Sequence, residues 1–384
     1  MGNENEYVPG LEGIVAAETR LSEVKGLEGK LTIAGFPVEE LAANATHEEA
    51  IALLWFDRLP DRGRLDALRD ALRKNRRLSE ATRAVLEAAA REGVSVMDAL
   101  RMGTATITPP AVECQGIDID PMALSIVAKL PVITATFWRL RQQQTPVEPD
   151  DTLDQAANYL YMLTGRRPSP ARVRGLETYL NTVIDHGLNA STFTARVIVS
   201  TGSDLVSAVT GAIGALKGPL HGGAPGPALE MVFEIGKKEN AERHIRQKLE
   251  KGERLMGFGH RVYKVYDPRA RVLSAAAERM FAREADLSLY ELARHVERVA
   301  LDLLAEYKPG RNLQTNVEFY TALLLHGLEL DVELFTPTFA ISRAAGWIAH
   351  ALEQREKGRL IRPKARYIGD HDRRWIPLAQ RPVG

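Results

Sequence analysis

The stretch Gly257-Phe258-Gly259-His260-Arg261-Val262-Tyr263-Lys264-Val265-Tyr266-Asp267-Pro268-Arg269 can be read in two ways, and the choice decides the fold. Its Gly-x-Gly start resembles a dinucleotide-binding turn, but the third glycine is missing and no strand of a βαβ unit precedes it, so a doubly wound parallel sheet is not supported. The other reading is a loop between helices. It carries a glycine-flanked histidine together with Arg261, Lys264 and Arg269, a set suited to an anionic substrate whose carbonyl or carboxylate must be held. Taken alone such a loop is as well explained by a solvated basic turn, so its surroundings decide.

On both sides of this loop apolar residues recur at spacings of three and four, the helical period. Downstream, helices are expected over 268–283, 287–307, 317–326 and 337–357. Upstream they are expected over 61–76, 79–92, 121–143, 151–164, 169–184, 192–200, 204–216 and 226–236. Thr46 can cap a further helix, with Glu49 completing a capping box and Ile51, Leu54 and Trp55 sharing a face. Strand signals are confined to the beginning of the chain, at 13–16 and 29–33, punctuated by Gly26, Gly29 and Gly35, and predict a short N-terminal β-meander. The fold class is therefore mainly α.

The chain has 384 residues, which at roughly 150 residues per domain points to two or three domains. Hydrophobic residues make up 45% and charged residues 26%, an ordinary globular balance that excludes a disordered or fibrous chain. Fifty basic residues balance fifty acidic ones, leaving no surplus to track a nucleic acid or an anionic membrane, so neither is expected as a partner. Cys114 is the only cysteine. With no internal disulfide possible, no signal-like start and no run of eighteen apolar residues, a cytoplasmic, non-membrane protein is expected.

Four other islands carry polar groups in loop-like surroundings. In Gly218-Pro219-Leu220-His221-Gly222-Gly223-Ala224 the glycines leave His221 unshielded and let the backbone approach a ligand. Asp185-His186-Gly187-Leu188-Asn189-Ala190-Ser191 holds another glycine-adjacent histidine and a natural cap for the next helix. Asn316-Val317-Glu318-Phe319-Tyr320 places an acid in the first turn of an apolar helix, where the macrodipole alone would favour it. Arg343, four residues before Trp347, and the pair Arg362-Pro363 complete the set. Metal chemistry is not indicated, because the sequence has no His-Glu-x-x-His, no cysteine pair and no His-x-His. A Gly-x-Ser-x-Gly elbow and a Walker loop are absent as well.

Taken in order, these five islands together with Leu160-Tyr161-Met162-Leu163-Thr164-Gly165 resemble the citrate synthase family over nearly the whole chain. The resemblance implies a citrate-synthase-like multi-helical fold with a large discontinuous domain (1–222 and 332–384) and a small domain (223–331) that closes over the substrates. It implies a homodimer of the compact type and condensation of acetyl-CoA with oxaloacetate to citrate and CoA in the tricarboxylic acid cycle, with no metal or redox cofactor. By the same resemblance His221, His260 and Glu318 are catalytic, and His186, His221, His260, Arg269, Arg343 and Arg362 bind oxaloacetate or citrate, Arg362 being supplied across the dimer. Gly259, Val262, Lys264 and Asn316 would contact CoA. One position departs from the family pattern, since the acid before Phe319-Tyr320 is most often aspartate and here is Glu318, longer by roughly 1.5 Å. The alternatives are a 2-methylcitrate synthase using propionyl-CoA and a catalytically silent ligand-binding relative.

Overall fold

The computed structural model describes residues 7–110, 118–222, 226–260, 262–263, 265–284 and 287–381. Cys114, Gly223, Ala224, Arg261 and Lys264 lie outside the described residues, as does the expected domain boundary at 223. A three-stranded antiparallel meander opens the chain: β1 (Ser22–Lys25), β2 (Lys30–Ile33) and β3 (Phe36–Pro37), with Val24 opposite Leu31 and Ile33 opposite Phe36. The strand expected at 13–16 does not form, and Ile14 and Val15 are exposed with no partner strand to complete a ladder. β1 escaped the sequence reading because Ser22, Glu23 and Lys25 leave Val24 as its only apolar residue.

Sixteen α-helices follow among the described residues. The first five are α1 (Val38–Asn44), α2 (His47–Phe56), α3 (Arg62–Lys74), α4 (Glu80–Arg91) and α5 (Val96–Thr104), of which the last three pack against α6 (Pro121–Arg141). Helix α6 is long and apolar enough to cross a membrane, but most of that apolar length is buried inside the protein. Next come α7 (Gln155–Thr164), α8 (Pro170–Val183), α9 (Ala190–Ser200) and α10 (Leu205–Leu216), then α11 (Gly226–Ile235), α12 (Ala241–Glu250), α13 (Pro268–Arg283), α14 (Ser288–Tyr307) and α15 (Val317–Gly327). The last, α16 (Phe335–Lys357), runs through the core against α9, α10, α6 and α8. Helices α1, α5 and α12 were not anticipated from the sequence. The Thr46 capping box with Glu49 is present, and Ile51 and Leu54 are buried, while Trp55 is half-buried and donates its indole N–H to Ala345 O.

Two close approaches register the elements that carry the candidate residues. A Cβ at Gly26, beside β1, would lie 2.2 Å from Val262 O, so the meander can rest against the 257–269 loop only because this residue is glycine. A Cβ at Gly346 in α16 would fall 2.4 Å from Ile184 O and 2.9 Å from Asp185 Oδ1. Gly346 thus lets α16 touch the turn that holds His186. Gly346→Ala is expected to lower stability by roughly 1 to 3 kcal/mol through overpacking. Denaturant unfolding measures this, and an unchanged midpoint would contradict the close fit.

Candidate active site

Three helix N-termini position the polar groups, each through a capping side chain. Asn189 caps α9 by accepting from Thr192 N at 3.1 Å, Asp267 caps α13 by accepting from Arg269 N at 3.1 Å, and Asn316 caps α15 by accepting from Glu318 N at 2.9 Å. The second residue of each helix is then Ser191, Arg269 or Glu318. Gly257 and Gly259 have φ of 87° and 82°, a left-handed conformation that few other residues adopt. This lets the loop pair with the strand-like approach to α15, where Gly259 N donates to Gln314 O at 2.7 Å and Asn316 N to Gly257 O at 2.9 Å. Asn316 Nδ2 also donates to Gly259 O at 2.9 Å, which brings His260 and Glu318 to the same end of the molecule.

His260 Nδ1 accepts from the backbone N–H groups of Val262 and Tyr263 at 3.0 and 3.1 Å. The proton of the neutral ring therefore sits on Nε2, which lies 3.3 Å from Arg269 Nη2. Two N–H groups come together there, and an anionic or carbonyl oxygen set against both could accept from each. Arg269 is buried and clamped by Asp267, whose Oδ1 accepts from Nε at 3.0 Å and whose Oδ2 accepts from Nη2 at 2.9 Å. Asp267 Oδ2 also accepts from Val317 N at 3.1 Å, tying α13 to the first turn of α15. His186 Nε2 lies 3.1 Å from Tyr263 Oη, and its ring is 6.3 Å from that of His260. Burial, with Arg269 and Arg343 adding to it, holds His186 well below the usual imidazole range.

Arg343 reaches this cluster from α16, donating from Nε to Val183 O at 2.7 Å. It is buried, and burial lowers its pKa to about 10 despite the opposing charge of Asp185. His221 is half-buried, more enclosed than its glycine neighbours suggest, while the adjacent Leu220 is fully exposed. Its Nε2 accepts from Ser191 N at 3.3 Å and lies 2.8 Å from Ser191 Oγ. The neutral ring then carries its proton on Nδ1, and burial together with the charge of Arg343 pushes its pKa down to about 4. Burial moves the Glu318 carboxyl the opposite way, above its ordinary value, although Arg269 pulls against the shift.

The structure thus brings His186, His260 and Arg269 into one contact network, with Arg343 and His221 within electrostatic reach of it. Glu318 lies in the field of Arg269. Gly259, Val262 and Asn316 belong to the same loop pairing, next to a cavity of about 370 Å³ lined by His260, Tyr263 and the 310–315 segment. Arg362 does not join them, lying on the exposed C-terminal tail. Sequence reasoning missed Tyr263 as a partner of His186 and Asp267 as the clamp of Arg269, though the Asp267-Pro268 cap signal was visible. No group of metal-ligating side chains is present among the described residues.

The citrate synthase C-terminal domain model matches residues 10–364. Citrate synthase 2 of Bacillus subtilis is 42% identical, covering 97% of this chain and 98% of its own. A 2-methylcitrate synthase of Shewanella oneidensis is 37% identical over 97% of each chain. Among solved structures, citrate synthase from Pyrobaculum aerophilum superposes with a TM-score of 0.86 at 38% identity, covering 97% of this chain and 95% of that one. The Thermoplasma acidophilum citrate synthase, in ternary complex with carboxymethyl coenzyme A and oxaloacetate, gives 0.85 at 29% identity over 98% of this chain and all of that one.

The electrostatics give a direct expectation. A histidine NMR titration should place His221 near 4, against the ordinary 6.5. Because its folded pKa is depressed, the unfolded chain binds more protons between about 4 and 6.5, so this histidine's contribution to stability is lost as pH falls through that window. His221→Gln should flatten that part of the stability profile. A His221 titration at 6.5 in the folded protein would contradict the burial argument.

Proposed function

The chain belongs to the citrate synthase family, and from that premise we propose that it condenses acetyl-CoA with oxaloacetate and hydrolyses the resulting thioester to citrate and CoA. The pairing of two neutral histidine donors with one carboxylate of raised pKa, around two buried guanidinium groups, carries the reading. Oxaloacetate is a dianion and requires fixed cations. Arg269 and Arg343 would take its carboxylates beside His186, while His260 Nε2–H would donate to its ketone oxygen and make that carbon electrophilic.

A carboxylate cannot remove a methyl proton from a thioester by basicity alone, so the enolate must be stabilised as it forms. Glu318 takes the proton, and its burial strengthens it as a base. His221, with its proton on Nδ1, donates to the thioester oxygen, a contribution of roughly 2.7 to 4 kcal/mol for one preorganised donor. The enolate carbon then attacks the ketone carbon, the developing alkoxide is held by the His260 Nε2–H and becomes a hydroxyl with the proton that Glu318 took from the methyl group, and water cleaves the thioester to citrate and CoA. CoA would lie along Gly259, Val262, Lys264 and Asn316. The reaction needs no metal or redox cofactor.

Residues 223–331 would form a small domain closing on the larger one. The chain would form a homodimer in which Arg362 of each tail completes the neighbouring site. The exposure of Tyr367, Ile368 and Trp375 on that tail supports a partner surface. A lone cysteine supports a cytoplasmic location.

Free-thiol release from acetyl-CoA in the presence of oxaloacetate tests the assignment. Preference for propionyl-CoA would make the chain a 2-methylcitrate synthase, and release from neither a silent relative. Glu318→Gln should lower turnover by more than about tenfold, and a smaller loss would remove Glu318 from the base role. Since Glu318 works only when ionised and its pKa is raised, the rate should climb with pH through a value above the ordinary carboxylate range.

A further inference from the structure

With Asn316 as the cap of α15, Thr315 stands just before the cap and Tyr320 is the fourth residue of the helix. In many helices these two positions hold apolar side chains, whose contact fixes the angle at which the chain enters the helix. Here both carry hydroxyls instead. Each donates to the same carboxylate on another helix, Glu297 of α14: Thr315 Oγ1 to Oε1 at 2.8 Å and Tyr320 Oη to Oε2 at 2.5 Å.

The Glu297 side chain is only 12% exposed, and its charge is met by Arg294, whose Nη1 donates to Oε2 at 2.7 Å and to Tyr320 Oη at 3.1 Å. Both oxygens are therefore partnered, the condition under which a poorly hydrated charge is tolerated. Thr315 and Tyr320 are buried, so their hydroxyls have little water to turn to. Thr315 also forms an antiparallel bridge with Phe258, which ties the same staple to the loop of His260. The loop pairing and Asp267 hold Asn316 and Val317, both ahead of Glu318. Tyr320 adds an anchor beyond it, and two anchors that flank a residue fix the direction of the turn between them.

We propose that Glu297 is a positioning residue that sets the direction of the Glu318 side chain by stapling Thr315 to Tyr320. The proposal rests on the base role assigned to Glu318, while its geometric half stands apart from that role. Glu297 touches neither reactant in this account.

The combined variant Thr315→Val with Tyr320→Phe removes both hydroxyls without changing the charge, and leaves Arg269, Asp267 and Arg254, the charged groups acting on Glu318, in place. It should lower kcat roughly tenfold, with KM for oxaloacetate within about twofold. Glu297→Ala should cause the same loss in the parent but less than about twofold in the combined variant. A loosened turn admits water to Glu318, so the acid limb of the rate profile should move down by about half a pH unit or more in the combined variant. A smaller folded fraction would instead lower kcat equally at every pH and leave the limb where it was. That result, an undiminished kcat, or equal losses from Glu297→Ala in both backgrounds overturns the proposal. Carbon-13 titration of the Glu318 carboxyl, assigned with Glu318→Gln, reads the same shift without turnover. A parent that releases no thiol would defeat the functional reading and leave this titration to decide the staple, a downward shift supporting it and coincident curves overturning it. Should the combined variant not fold, Tyr320→Phe keeps the buried ring, loses one arm of the staple and is read by the same titration.

Discussion

The Asp267–Arg269 pair is the constraint on which the site depends. Both side chains are buried, and burying opposite charges is tolerable only where their hydrogen-bonding capacity is filled. Asp267 meets this by accepting from Arg269 N, Nε and Nη2 and from Val317 N. The same carboxylate caps α13, aims the guanidinium at His260 and holds the first turn of α15, which carries Glu318. Removing it would leave an unpaired buried guanidinium, detach α15 and alter the field felt by Glu318 in one step.

Around that pair the environment moves acids and bases in opposite directions. Burial keeps His186 and His221 neutral, and neighbouring guanidinium groups reinforce the effect. The same burial raises Glu318. Neutral imidazoles can donate to a developing oxyanion without first losing a full charge, while a carboxyl of raised pKa is the stronger base once ionised. Backbone N–H groups choose the proton position on both rings, Val262 and Tyr263 for His260 and Ser191 for His221.

Much of this was legible in the residues because it is local. The capping box at Thr46, the cap before α9 and the glycines around His260 act within a few residues of themselves. The helices from 268 onward were equally readable from their apolar period. What failed was non-local. The 13–16 segment looks like a strand but lacks a partner, whereas Ser22–Lys25 looks polar and pairs with β2. Trp347 reads as core until Ser191 is seen across from it, and Asp185 as a loop acid until Ser22 and His350 meet it at 2.5 and 3.3 Å. The role proposed for Arg362 would depend on a second chain and so lies beyond local pattern altogether.

The most direct measurement is a crystal structure of the protein with oxaloacetate and a non-reactive thioether analogue of acetyl-CoA. The account predicts oxaloacetate carboxylates on Arg269 and Arg343, its ketone oxygen on His260 Nε2, and the acyl end of the analogue between His221 Nδ1 and Glu318. Oxaloacetate bound away from the two arginines, or an acyl end that meets neither His221 nor Glu318, would contradict it.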